Sequence, residues 1–155
     1  MKTIVIYATK YGAAGEIARR IADKIGGAVI HDLKQGVPSL AEFDCVIIGS
    51  SIYAGMIRKE AKVFLSKNAS TLQGKKIGLF LSGLDASSQK TFFDINFPTD
   101  ILQAAKTAEF LGGIFDPKKA GMIERFIIKM ITKKTRYINI IDDSKIEQFV
   151  KAVKS

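Results

Sequence analysis

Thr3-Ile4-Val5-Ile6-Tyr7-Ala8-Thr9-Lys10-Tyr11-Gly12-Ala13-Ala14 is the stretch that decides the fold. Its first half is short, rich in β-branched residues and almost wholly apolar, the pattern of a strand buried on both faces. Its second half is small and polar. The period then changes, and Ile17, Ala18, Ile21, Ala22 and Ile25 recur at helical spacing until Gly26-Gly27. A loop of small residues that opens a helix offers backbone N–H groups and the positive end of the helix dipole. Thr9 to Ala14 therefore reads as an anion site, with phosphate the expected occupant and an ordinary βα turn the competing reading. Thr9 adds a hydroxyl, and Gly12 lets the backbone come close. The loop is not a Walker loop, because it lacks the Gly-Lys-Ser/Thr ending. It is not Gly-x-Gly-x-x-Gly either, because Thr9 and Tyr11 stand where glycines are needed.

Working outward, the same alternation of periods recurs. Val29 to Leu33 is a short second strand, and Pro38-Ser39 begins a connection with little room for a full helix before Asp44. Cys45-Val46-Ile47-Ile48-Gly49 is a third strand, and Ala61, Phe64, Leu65 and Leu72 mark the next helix. Ile77-Gly78-Leu79-Phe80-Leu81 is a fourth strand. A polar stretch, Asp85 to Lys90, leads to Phe92, Phe93 and Phe97, and Thr99 to Lys106 is expected to be helical with Thr99 as N-cap. Ala108 to Phe115 is expected as a fifth strand, weakened at Gly112-Gly113. Two helices are expected to close the chain. One carries Met122, Ile123, Phe126, Ile127, Met130 and Ile131. The other opens with a capping box, Ser144-Lys145-Ile146-Glu147. Strands separated by helices imply parallel pairing and right-handed crossovers, and ligands of such sheets sit beyond the carboxyl ends of the strands.

That rule directs attention to two further loops. Ser50-Ser51-Ile52-Tyr53-Ala54-Gly55 follows the third strand, and Tyr53 has the shape to stack on a flat ring. Ser82-Gly83-Leu84-Asp85 follows the fourth and is small enough to meet a ligand through its backbone. No metal site and no nucleophile–base pair is expected, so no catalytic residue is assigned. His31, the single histidine, falls on the second strand away from the three loops.

Composition bounds the rest. The 155 residues fit one compact domain spanning 1–155, with 47% hydrophobic and 25% charged residues. The lone Cys45 excludes an internal disulfide, reads as a buried thiol in its apolar run, and is consistent with a cytoplasmic setting. No apolar run approaches the roughly 18 residues of a spanning helix, and the start of the chain does not look like a secretory signal. The net charge is +9, and from Pro117 to Arg136 seven Lys or Arg stand against Glu124 alone. Such a surface suits an anionic membrane or an acidic protein, or is a solvated face. Nucleic-acid binding is not expected, because the basic residues are interleaved with apolar ones.

Tyr7-Ala8-Thr9-Lys10-Tyr11-Gly12 followed by Glu16-Ile17-Ala18 resembles the phosphate loop of the flavodoxin superfamily. Its likeness is to the flavodoxin-domain branch that includes bacterial FMN-dependent protoporphyrinogen oxidase. Three further stretches carry the likeness: Gly49 to Gly55 with Lys59-Glu60-Ala61, Phe110-Leu111-Gly112-Gly113, and Glu124-Arg125-Phe126-Ile127-Ile128-Lys129. The resemblance implies a flavodoxin-like α/β fold, a three-layer, doubly wound, five-stranded parallel sheet of order 2-1-3-4-5 with an extra C-terminal helix. That order is carried over from the family. It implies FMN as cofactor, with Thr9, Lys10, Tyr11, Gly12, Ala13 and Ala14 around the phosphate. Ser50, Ser51, Ile52, Tyr53, Ala54 and Gly55 would border one side of the isoalloxazine, and Ser82, Gly83, Leu84 and Asp85 the other. Relatives commonly carry Ser/Thr or Asn/Gln, then Thr, where this chain has Ala13-Ala14. Each uncompensated bond lost there would cost about 1–3 kcal/mol of FMN affinity.

The expected function is an FMN-dependent redox protein that exchanges electrons with a partner protein or a small organic acceptor, a quinone or porphyrinogen among them. The alternatives are a quinone-linked protoporphyrinogen IX dehydrogenase of heme biosynthesis and a flavin-free binding module. Peripheral contact with the inner face of the membrane through the basic 117–136 region, and a homodimer, are further expectations.

Overall fold

A computed structural model describes residues 1–119, 121, 125–126, 129–130 and 136–155. The chain forms β1 (Thr3–Ala8), α1 (Ala13–Ile25), β2 (Val29–Asp32), β3 (Cys45–Tyr53), β4 (Met56–Ile57), α2 (Lys59–Leu72) and β5 (Lys76–Ser82). It continues through α3 (Gln89–Asn96), α4 (Thr99–Ala104), β6 (Thr107–Phe110), β7 (Ile114–Phe115), β8 (Ile138–Asn139) and α5 (Asp143–Lys154). The main sheet runs β2-β1-β3-β5-β6 with every pairing parallel, which is the order 2-1-3-4-5 of the five long strands. The short β4 folds back antiparallel on the end of β3, pairing Ile52 with Ile57 and Tyr53 with Met56.

Alternation along each strand divides the core into two layers. Ile4, Ile6, Val46, Ile48, Leu79 and Leu81 meet α2, α3 and α4 through Phe64, Leu65, Phe93, Phe97 and Ile101. Val5, Ile47 and Phe80 meet α1 and α5 through Ile17, Ile21, Ile146, Phe149 and Val153. The second layer is closely fitted. A Cβ on Gly49 would overlap the Phe80 ring, and one on Gly78 would lie 2.8 Å from Val153. Phe80 meets Phe149 edge-to-face with centroids 6.3 Å apart. Cys45 is fully buried in this layer, and burial pushes its thiol pKa up.

Several expectations change at element ends. The second strand stops at Asp32, whose side chain caps a 3₁₀ turn over Leu33–Gln35. The fifth strand is not continuous from Ala108 to Phe115. Gly112 takes φ +89°, the ladder on β5 ends at Phe110, and Ile114–Phe115 pairs antiparallel with Ile138–Asn139 instead. Thr99 does not cap α4, because Pro98 holds the N-cap position and no side chain bonds there. The last helix does not open on the expected capping box at Ser144: Asp142, two residues earlier, is the N-cap and accepts from the Lys145 N–H at 3.0 Å. Most of the expected basic helix, Gly121 to Lys133, lies outside the described residues. Arg125, Phe126, Lys129 and Met130 are helical and exposed.

Candidate functional site

β1, β3 and β5 are adjacent and parallel, so their carboxyl ends deliver three loops to one edge of the sheet. They surround a cavity of about 280 Å³, near the lower end of the roughly 300–1,000 Å³ of small-molecule sites. Thr9, Lys10, Tyr11 and Ala13 line it from the first loop, Ser51, Ile52, Tyr53, Ala54 and Gly55 from the second, and Ser82, Gly83, Leu84 and Asp85 from the third.

The first loop is built around Gly12. At φ +105° it is the N-cap of α1 and supplies no side chain to the helix's first N–H groups. Thr9 Oγ1 accepts from the Gly12 N–H at 2.8 Å, which closes the loop and leaves the hydroxyl proton to donate elsewhere. The Lys10 ammonium lies 4.1 Å from the Tyr53 ring centroid and 5.4 Å from that of Tyr11, a cationic link from the first loop to the second. Two buried hydroxyls on cavity-lining residues, Ser51 Oγ and Ser82 Oγ, have no hydrogen-bond partner among the described residues. Buried polar groups are ordinarily satisfied, so these two await a polar ligand or water. The Asp85 carboxyl is held below its ordinary pKa by hydrogen bonds from Ser87, through the backbone first and the side chain second.

A family model described as a flavodoxin domain matches residues 4–139. The chain belongs to the flavodoxin domain family. No curated protein matches it in sequence. A short-chain flavodoxin associated with a non-canonical PDU bacterial microcompartment has the same fold, with a TM-score of 0.64 at 18% identity over 99% of this chain and 97% of that one. A flavodoxin from the domain Archaea aligns over 100% of both chains with a TM-score of 0.56 at 16% identity. A point mutant of Fusobacterium nucleatum flavodoxin, bound to flavin mononucleotide, aligns with a TM-score of 0.57 at 15% identity, over 99% of this chain and 96% of that one.

Within this flavodoxin domain, three residues expected at the site do not line this cavity. Ala14 is fully buried, its methyl in the core beside Ile17 and Val5, so a hydroxyl at that position would enter the core and not the cavity. Of the two alanines in the loop, only Ala13 borders the cavity. Ser50 is also buried, and its hydroxyl donates to the Ser51 carbonyl at 3.0 Å while accepting from the Arg58 N–H at 2.9 Å. It ties the β3–β4 hairpin to the start of α2. Gly12 borders a second, polar cavity with Glu16 and Arg20, and Tyr11 lines both cavities.

Four lining residues were not expected: Phe92 from α3, Phe110 from the end of β6, and Ile114 and Phe115 from β7. They give the cavity an apolar wall. The signal for Phe92 was the run Phe92, Phe93 and Phe97, too apolar for a free loop. Ile114 and Phe115 were hidden by the chain reversal at Gly112. Gly113 lets the two backbones cross there, since a Cβ on it would lie 2.6 Å from the Gly83 carbonyl oxygen. The Gly83 N–H donates to Gly112 O at 3.0 Å.

Among the described residues no helix is long and apolar enough to cross a membrane.

Proposed function

We propose that this flavodoxin domain binds FMN non-covalently and exchanges electrons with a redox partner protein or a small organic acceptor. The observation that carries the reading is the convergence of three strand-end loops on one cavity beside an uncapped helix N-terminus, with two of its lining residues, Ser51 and Ser82, carrying buried hydroxyls unpartnered among the described residues. The donor set suits FMN. The first turn of α1 and the Thr9 hydroxyl would hold the phosphate, an assignment that rests on backbone more than on side chains because Ala13 offers no hydrogen bond. Ser51, Ser82 and the backbone of the second and third loops would meet the polar edge of the isoalloxazine. Tyr53 and Phe92 would flank its faces or rim, and the apolar wall would exclude water. Bound FMN supplies reversible one- and two-electron transfer, while the surrounding groups tune its potential and limit access.

The test is a titration of the protein with FMN and with riboflavin, followed by chemical reduction and reoxidation in air. We expect saturable quenching of flavin fluorescence, tighter for FMN than for riboflavin, and reversible bleaching. Equal affinity for the two flavins would remove the phosphate role of the Thr9 loop, and no quenching by either would refute the proposal.

A further inference from the structure

Asn96 is the last residue of α3 and is 8% exposed. Its side chain makes three hydrogen bonds, all to backbone. Oδ1 accepts from the Ile57 N–H at 2.9 Å, and Nδ2 donates to the Gly55 carbonyl and to the Phe92 carbonyl, each at 2.8 Å. The orientation of the amide is unambiguous, because the reverse assignment would set an oxygen against two carbonyls and a nitrogen against an N–H. Gly55 and Phe92 both line the cavity, and they belong to separate elements that approach it from different directions. One amide nitrogen thus binds the carbonyls of two cavity walls. The ring of Phe92 lies against Gly55, 3.6 Å from where a Cβ would stand.

The clamp also spans the least relaxed part of the rim. Ala54, between Tyr53 and Gly55, takes φ +51°, the left-handed region a non-glycine residue seldom adopts, and Gly55 follows at φ +77°. Asn96 fixes the chain on the far side of this turn, at Gly55 O and Ile57 N, while the β3–β4 pairing fixes Tyr53 against Met56. The left-handed turn is held at both ends.

We propose that Asn96 is a positioning residue for the flavin: it locks the Tyr53–Gly55 rim to the Phe92 wall, so that the cleft for the ring system is set before the ligand arrives. Asn96 itself is not among the cavity-lining residues and acts through the backbone. The inference rests on the FMN reading above. A preformed cleft avoids the ordering cost of binding, so releasing the clamp weakens affinity and changes the environment of the bound ring together.

The test compares wild-type protein with Asn96→Asp and Asn96→Ser, each titrated with FMN and then held at saturation. Asn96→Asp keeps the acceptor for Ile57 but turns an oxygen toward both carbonyls. We expect its FMN dissociation constant to rise about tenfold or more, the equivalent of one hydrogen bond of lost preorganisation. We also expect an altered visible band and midpoint potential in the saturated protein. Asp94→Ala, which removes only the exposed pair of Asp94 with Lys90 on the same helix, should leave all three readings unchanged. A second measurement needs no variant: both Asn96 side-chain amide protons should exchange slowly in NMR spectra of the wild type and shift when FMN is added. If wild-type protein binds FMN while both Asn96 variants keep its affinity, spectrum and potential, or if those amide protons exchange fast or ignore FMN, the positioning role is overturned. Failure of the wild type to bind FMN overturns the functional proposal instead.

Discussion

Gly113→Ala tests how the third loop is held, because its effect is steric. Gly113 does not have positive φ, so alanine carries no backbone penalty there. The added methyl would sit 2.6 Å from the Gly83 carbonyl oxygen, 2.9 Å from its carbon and 3.0 Å from its nitrogen. Ordinary contact begins near 3.4 Å, so the Gly83 backbone must retreat by about 0.8 Å. These are backbone atoms and cannot rotate away. Overpacking of this kind costs about 1–3 kcal/mol, or roughly 2–12 °C of melting temperature for a chain of this length. The retreat also displaces Gly83 where it lines the cavity, so FMN should bind about tenfold more weakly or worse. Thermal unfolding of the unliganded protein and a fluorescence titration with FMN read the two effects separately. Gly121→Ala, which would add a methyl with none of the described residues within 4 Å, is the control and should change neither. A Gly113→Ala protein that melts and binds FMN like the wild type would refute the close crossing of Gly113 and Gly83.

Other outcomes follow from the same geometry. Asp142→Ala should cost about 1 kcal/mol through loss of the α5 N-cap, whereas Ser144→Ala should cost less; denaturant unfolding decides, and the reverse order would restore the expected capping box. Glu16 has its pKa lowered, first by hydrogen bonding to Arg19 and also by Arg20. A lowered folded-state pKa stabilises above the unfolded carboxylate value and loses that contribution as pH falls through the folded one, so wild-type protein should lose its stability advantage over Glu16→Gln on acidification below the ordinary glutamate range. Cys45 should resist thiol reagents in native protein and react on unfolding, as its burial and raised pKa require; rapid native labelling would contradict the packing of that layer.

The long apolar strands and the helix stripes of α1, α2 and α5 were legible in the sequence because burial on two faces leaves an unbroken record. The three strand-end loops were legible for a related reason: a parallel sheet puts the loops after its strands at one edge, so locating β1, β3 and β5 located the cavity they line. What escaped was set by contacts between distant residues. Asn96 reads as one polar residue in a Phe-rich segment until its partners at Gly55 and Ile57 are in place. Phe110 and Phe115 read as one strand, since Gly112-Gly113 marks a weak point but nothing local says that the chain turns there toward Ile138. Ser50 and Ala14 sit in loops of small residues where sequence alone does not tell an inward side chain from one facing a ligand; the Arg58 N–H claims one and the α1 core the other.

The central claim is that the loops at Thr9, Ser51 and Ser82 form a flavin site, and the absorption spectrum of the purified protein, with mass identification of any released cofactor, meets it most directly. The purified protein should be yellow, release FMN on denaturation and recover its spectrum when FMN is returned. A colourless protein that neither takes up FMN nor quenches its fluorescence would contradict it.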